Sequence, residues 1–234
     1  MVRRVLLTVA VLAALSGLAR GITPNTEATA APACHGYVAL TFDDGPFPTT
    51  GLLLERLAEL KVRATFFNLG KAELEYPGVV RREAKTGMWF GNHSYDHPYL
   101  TQLSPDDLTY QLRETRLIHR AITTRSHGFF RPPYGDTDEA VRAEAARNGM
   151  VEALWTVDTK DYESTTDLIV ARALTVKPGS VILMHDGKVQ TRAALPRIVA
   201  GLRQRHLCAG KLARSSTPQQ VWPGLDTYVK AVKP

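Results

Sequence analysis

The chain has 234 residues, 44% of them hydrophobic and 22% charged, which suits one compact domain of the size that closes a barrel or covers an α/β sheet. Its formal charge of +6 is scattered along the chain and forms no dense basic track with stacking aromatics, so nucleic-acid binding is not expected. Nothing in the composition asks for a second domain.

The opening "MVRRVLLTVAVLAALSGLARG" sets two arginines before an apolar run from Val5 to Leu15 and then small residues, the make-up of a secretory signal over 1–21. The run is too short to span a bilayer, so no stable membrane anchor is expected. The Thr/Ala/Pro-rich stretch 22–33 reads as a disordered lead-in. The folded body is expected over 34–214, with 215–234 as a C-terminal tail, in a secreted, extracellular, monomeric protein. Export would put Cys34 and Cys208, the only two cysteines, in an oxidising compartment. A disulfide between them is expected; two buried free thiols are the competing reading.

Strand-like and helix-like runs then alternate. "GYVALTF" (36–42) predicts a strand that feeds Asp43 and Asp44, and 48–61 a helix with a Thr start. A second strand is expected over 63–70, a helix over 76–87 closed by Gly87, and a third strand over 88–94 that runs into His93. Residues 104–122 carry Ser104 as N-cap, Pro105 at the first helical position and Asp107 three after the cap, the clearest helix of the chain. "GFFRPPYG" (128–135) is a strand end broken by prolines, 136–149 a helix, 151–158 a strand, 165–176 a helix, 180–186 a strand and 190–206 a last helix despite Pro196. Repeated strand-then-helix units imply parallel strands with right-handed crossovers, hence a (β/α) barrel or an open α/β sheet. Asp43, Asn68, His93, Arg131, Asp158 and His185 all stand at the C-terminal ends of apolar runs, the face that carries chemistry in barrels.

His93 and His97 are four residues apart, a spacing that in a helical turn places both rings on one side. With one carboxylate they would make a facial metal set with open positions for water and substrate. Asp43 and Asp44 cannot share one task, because adjacent side chains at a strand end diverge. One can ligate a metal while the other acts as a base toward a water that a divalent cation has made more acidic. A pair of exposed turn carboxylates before Gly45-Pro46 is the bland alternative. His185 ends the run "VILM" and is suited to a general acid, with a buried core imidazole as the alternative. His35, His119, His127 and His206 have no neighbouring carboxylate cluster in the sequence and read as surface or packing residues.

On "TFDDGP" (41–46), "HSYDH" (93–97), "RPPYG" (131–135), "WTVDTKDY" (155–162) and "LMHD" (183–186), in that order, the chain resembles the polysaccharide deacetylase family, also called carbohydrate esterase family four, from Cys34 to about Cys208. It is most similar in layout to small secreted actinobacterial acetylxylan esterases and chitooligosaccharide deacetylases. The resemblance implies a distorted (β/α) barrel of about seven strands and one divalent metal, zinc on ligand grounds, with cobalt or nickel able to take its place. By position, Asp43 matches the catalytic base, and Asp44, His93 and His97 the metal ligands. Arg131 matches the residue that orients the base, Asp161 the partner that raises the pKa of the acid His185, and the backbone NH of Tyr134 an oxyanion donor. Leu183 and Tyr162 match walls of the acetyl pocket, although position 162 departs from the commoner Trp. Asp158 reads as a structural carboxylate. The expected reaction is removal of N-acetyl groups from N-acetylglucosamine oligomers or polymers, with O-acetyl groups of xylan as the alternative. A non-catalytic carbohydrate-binding module would be expected to lack the base, a ligand or the acid. A metal-dependent phosphohydrolase would want further basic groups. Trp89, Trp155 and Trp222 can each be core, and Trp222 in the tail can also be a sugar-stacking platform.

Overall fold

A computed structural model describes residues 33–222 and 225–234; the expected signal and nearly all of the lead-in lie outside them. In chain order the elements are β1 (Gly36–Asp43), α1 (Thr50–Glu59), β2 (Thr65–Asn68), α2 (Gly70–Glu75), α3 (Pro77–Lys85), β3 (Trp89–Asn92) and α4 (Pro105–Thr123). They continue with β4 (Phe129–Phe130), α5 (Glu139–Arg147), β5 (Val151–Glu152), β6 (Val157–Asp158), α6 (Thr166–Ala173), β7 (Val181–His185), α7 (Val189–Gln204), β8 (Leu207–Trp222) and β9 (Leu225–Val232). Seven strands run in the order β5-β4-β3-β2-β1-β7-β6, every ladder parallel. This is the distorted, nearly closed α/β barrel expected.

Side-chain alternation sorts the wall into two faces. Val38, Leu40 and Phe42 of β1, Phe66 of β2, and Ile182 and Met184 of β7 pack outward on the helices in one buried cluster. Ala39, Phe67, Val181 and Ala153 belong to a separate inner cluster. Thr41 and Asp43 share the parity of Ala39, as Leu183 and His185 share that of Val181. The polar ends of both strands therefore point into the barrel mouth.

Three elements depart from the expected ones. The run 151–158 is not one strand. Its ends are β5, paired to β4, and β6, paired to β7. The intervening residues bend across the gap, with Ala153 N–H donating to Phe130 O (2.7 Å) and Thr156 N–H to Val181 O (3.0 Å). The barrel is closed there by the chain itself rather than by a ladder. Helix α2 carries no local start signal, because its first amides are satisfied from afar: Gly70 N–H donates to Ser94 O (3.0 Å) and Lys71 N–H to Tyr95 O (2.9 Å), which meets the demand of a helix N-terminus without a capping side chain. Beyond α7, β8 runs through residue 214 and pairs antiparallel with β9. This hairpin buries Leu212, Val229 and Ala231 against the inner cluster, so the β9 part of the segment read as a tail folds back onto the barrel. The side chain of Trp222 lies outside the described residues.

The helix at 104–122 starts as read: Ser104 Oγ accepts from Asp107 N–H at 3.2 Å. Cys34 and Cys208 form a disulfide, Cα–Cα 5.7 Å, beside the ladder of β1 with β8. Among the described residues no helix is long and apolar enough to cross a membrane.

Candidate active site

In the β1–β7 ladder Asp43 and His185 are register partners, so the two residues stand abreast at the C-terminal mouth. The chain then turns sharply. Asp44 has φ 72°, and Ser94 and His97, in the loop after β3, have φ 68° and 70°. Non-glycine residues in the left-handed region are strained and collect at functional sites. The segment 93–97 is thus not the helical turn expected of its spacing, yet it converges its two rings by a different backbone path.

Asp44 Oδ1 lies 3.4 Å from His93 Nε2 and 3.3 Å from His97 Nε2. It is buried, and no hydrogen bond satisfies it. Ligands about 2.1 Å from a tetrahedrally coordinated zinc stand roughly 3.4 Å apart, so both measured edges fit one ion. His93 Nδ1 is 2.8 Å from Arg131 O. That carbonyl can only accept, so the proton sits on Nδ1 and leaves the Nε2 lone pair for a cation, as an outer partner of a metal-binding histidine does. Burial alone would raise the Asp44 carboxyl, but the two imidazoles hold it well below the usual carboxylate range. These three residues form a divalent metal-binding site.

Beside it, Asp43 Oδ1 accepts from Arg131 Nη1 at 2.7 Å, and Oδ2 faces His93 Nε2 at 3.8 Å. Arg131 is wholly buried. Its Nε donates to Ala153 O (2.8 Å) and its Nη1 also to Thr41 Oγ1 (2.8 Å), while its guanidinium lies 4.1 Å over the Phe67 ring. Burial lowers the pKa of this guanidinium against the charge of Asp43. Across the mouth, Asp161 grips His185 twice, through Nδ1 (2.6 Å) and through the backbone N–H (2.8 Å). Thr191 Oγ1 donates to the same carboxylate. Although burial works against it, the Asp161 hydrogen bond and charge, aided by Asp43 and Asp44, push His185 up to about 9.

These groups line a pocket of about 470 Å³ whose walls include Leu183, Tyr162, Trp155, Tyr134 and Lys188. Tyr134 sits at φ 59° in the turn Pro133–Gly135; its ring stacks on Tyr99 (4.2 Å) and meets His97 edge-on (4.5 Å). Tyr162 is 53% exposed and stands edge-on to His185 at 5.7 Å, at the rim rather than in the floor. Asp158 lines the same pocket and accepts from Lys160 N–H at 2.7 Å.

The ten residues to which the resemblance gives a role in the site meet around this mouth, whereas Asn68, also expected on this face, turns to Glu73 and Glu83. Thr41 and Thr191 were not anticipated. Thr41 could have been found from strand parity with Asp43, whereas nothing local marks Thr191. One expectation is overturned. His119 does have a carboxylate partner: its Nδ1 lies 2.8 Å from Glu73 Oε1 and both side chains are wholly buried. The separation of 46 residues hid the pair from a reading of neighbours along the chain.

The polysaccharide deacetylase family model matches residues 30–153. A chitooligosaccharide deacetylase of Sinorhizobium fredii is 37% identical over 200 residues, 78% of this chain and 91% of that protein. A peptidoglycan-N-acetylglucosamine deacetylase of Bacillus cereus is 37% identical over 175 residues, and a bifunctional xylanase/xylan deacetylase of Cellvibrio japonicus 31% over 182. Those matches cover 72% and 76% of this chain but span only 64% and 27% of the two relatives. Among solved structures, a family 4 carbohydrate esterase from Streptomyces lividans in complex with acetate superposes with a TM-score of 0.77 at 38% identity, covering 86% of this chain and 100% of that one.

Proposed function

This chain belongs to the polysaccharide deacetylase family, and from that premise we propose that it is a secreted, metal-dependent hydrolase that removes N-acetyl groups from N-acetylglucosamine oligomers or polymers and releases acetate. The observation that carries the reading is the flanking of one three-ligand cation site by two separately held groups, the Arg131-held carboxylate of Asp43 and the Asp161-held imidazole of His185. The Cys34–Cys208 disulfide supports an oxidising destination.

Asp44, His93 and His97 would hold the cation, zinc by ligand type, with cobalt or nickel able to use the same set. When bound, such an ion supplies Lewis acidity, polarising the acetyl carbonyl and making the attacking water more acidic. Asp43 takes the proton from that water. The Arg131 Nη1–H, donating to Oδ1, fixes the direction in which the Asp43 carboxylate points. The Tyr134 backbone N–H, presented by its left-handed turn, donates to the oxygen on which charge develops. His185, protonated at Nε2 while Nδ1–H is tied to Asp161, delivers its proton to the departing nitrogen. Leu183 and Tyr162 shape the pocket around the acetyl methyl.

O-acetylated xylan is the second reading, favoured by the likeness to the Cellvibrio xylan deacetylase. The deciding experiment measures acetate released by the metal-loaded protein from chitooligosaccharides, acetylated xylan and peptidoglycan, before and after chelation. Release from chitooligosaccharides that stops on chelation is expected. Release from xylan alone would replace the amide by the ester reading, and release from none would defeat the enzyme reading. In the same assay Asp43→Asn should lower kcat by about 10²–10⁴-fold, the usual share of a general base, while the metal content stays at the parent value. Near-parent turnover would remove Asp43 from the role of base.

A further inference from the structure

A second polar cluster lies on the other side of the barrel wall, between the strands and helices α2, α3 and α4. Asn68, at the end of β2, donates through Nδ2 to Glu73 Oε1 (3.2 Å) and to Glu83 Oε2 (3.0 Å). Glu73 Oε1 also faces His119 Nδ1 at 2.8 Å. The His119 ring rests against Phe90 (4.5 Å) and against His127 (4.1 Å, tilted by 32°). Asn68, Glu73, Glu83 and His119 are 0% exposed and His127 3%.

This cluster is short of partners in one direction. Glu73 Oε2, Glu83 Oε1, Asn68 Oδ1, His119 Nε2 and both ring nitrogens of His127 are buried with no hydrogen bond. Among the described residues, neither Glu73 nor Glu83 pairs with a lysine or arginine. Buried polar atoms are normally satisfied, and so many orphans in one patch call for an explanation. Carboxylate oxygens offer only lone pairs, and each neutral imidazole has one to give. A single cation can accept several of these at once, and it neutralises the acidic side of the cluster as well.

We infer that Glu73, His119 and His127 form a second, structural site for a divalent transition-metal ion, distinct from the one in the barrel mouth. One ligand atom from each lies within 4.8 Å of the other two. Two imidazoles with one carboxylate are a zinc set, and they also suit cobalt and nickel. Glu83 and Asn68 are further oxygen donors in the same cluster. Because ring lone pairs lie in the ring plane, the two imidazoles, tilted by 32°, must splay further to face one ion. His127 sits on the short connection between α4 and β4, and this is the segment that would turn to present its ring to the ion. The site is sealed from solvent. Its ion would enter as the chain folds, tying α2 and α4 to the start of β4, and metal binding would be part of folding free energy.

The test counts metal in the full chain, unfolded with chelator, refolded oxidatively with excess zinc and passed into metal-free buffer. Two ions per chain are expected in the parent, one in His93→Ala/His97→Ala and one in His127→Gln. A zinc content that His127→Gln leaves unchanged would overturn the inference. If His127→Gln does not refold by circular dichroism, the His93→Ala/His97→Ala chain loaded with cobalt decides: visible d–d bands at one equivalent support the buried site, and their absence overturns it. Should His93→Ala/His97→Ala lose no ion while His127→Gln does, the buried site stands and the reading of the barrel-mouth site fails.

Discussion

At Asp161 a single buried carboxylate sets both the position and the charge of His185, since it holds Nδ1 and the backbone N–H of the same residue. With the cation site filled, the contribution of Asp44 to the raised pKa is offset, and the Asp161 hydrogen bond is the part that persists. A His raised toward 9 stays protonated at neutral pH, so the alkaline limb of activity should lie above neutrality. Asp161→Asn should return the imidazole toward the ordinary value of about 6.5, cutting the protonated fraction near pH 8 by roughly thirtyfold. The alkaline limb of kcat/KM should move to lower pH; an unmoved limb would show that Asp161 does not tune the acid. The same shift bears on stability. Its stabilising contribution is full below about pH 6.5, where folded and unfolded chains both carry the proton, and is lost as pH rises through about 9.

Strands and helices were legible where their signals are local. Ser104 and Pro105 mark the start of α4 because that cap is made within four residues. Helix α2 escaped notice because carbonyls of residues 94 and 95, brought in by the metal-binding loop, take the place of a cap. A cap made within the sequence should be testable alone: Ser104→Ala should cost about 1 kcal/mol in denaturant titration, and a loss near zero would mean that Pro105 and packing suffice. Gly91 of β3 shows how an element without catalytic groups positions those that have them. A Cβ there would fall 2.2 Å from the Phe67 ring, on which the Arg131 guanidinium rests. Gly91→Ala should therefore destabilise by about 1–3 kcal/mol through overpacking and lower kcat through a displaced Arg131. Unchanged melting and turnover would separate Phe67 from the support of Asp43.

For the whole molecule, alternation of strand and helix indicated a wrapped parallel sheet, but not how it closes, because the bend between β5 and β6 has no periodicity of its own. The terminal hairpin is a subtler case. "SSTPQQVWPG" is polar and proline-bearing and reads as a loop, yet β9 alternates with Thr227, Val229 and Ala231 buried between exposed Asp226, Tyr228 and Lys230, a period-two signal available in the sequence. The buried cluster around Glu73 has no sequence signature, since its members come from β2, α2, α3, α4 and the connection after α4, with His119 46 residues from Glu73. Joining residues 174 positions apart, the disulfide should contribute about 2–5 kcal/mol by limiting the unfolded chain. Cys34→Ser/Cys208→Ser should show that loss in chemical denaturation, and equal stability would mean that β8 pairing alone holds the ends.

With Cys34 and Cys208 cross-linked, the chain between them is topologically a ring. One peptide bond cut by a protease anywhere between Cys34 and Cys208 opens the ring without releasing a fragment, so a nicked molecule still carries every active-site residue on one covalent body. After a first cleavage the disulfide would keep the two pieces covalently joined, whereas in an uncross-linked barrel only non-covalent contacts would hold them.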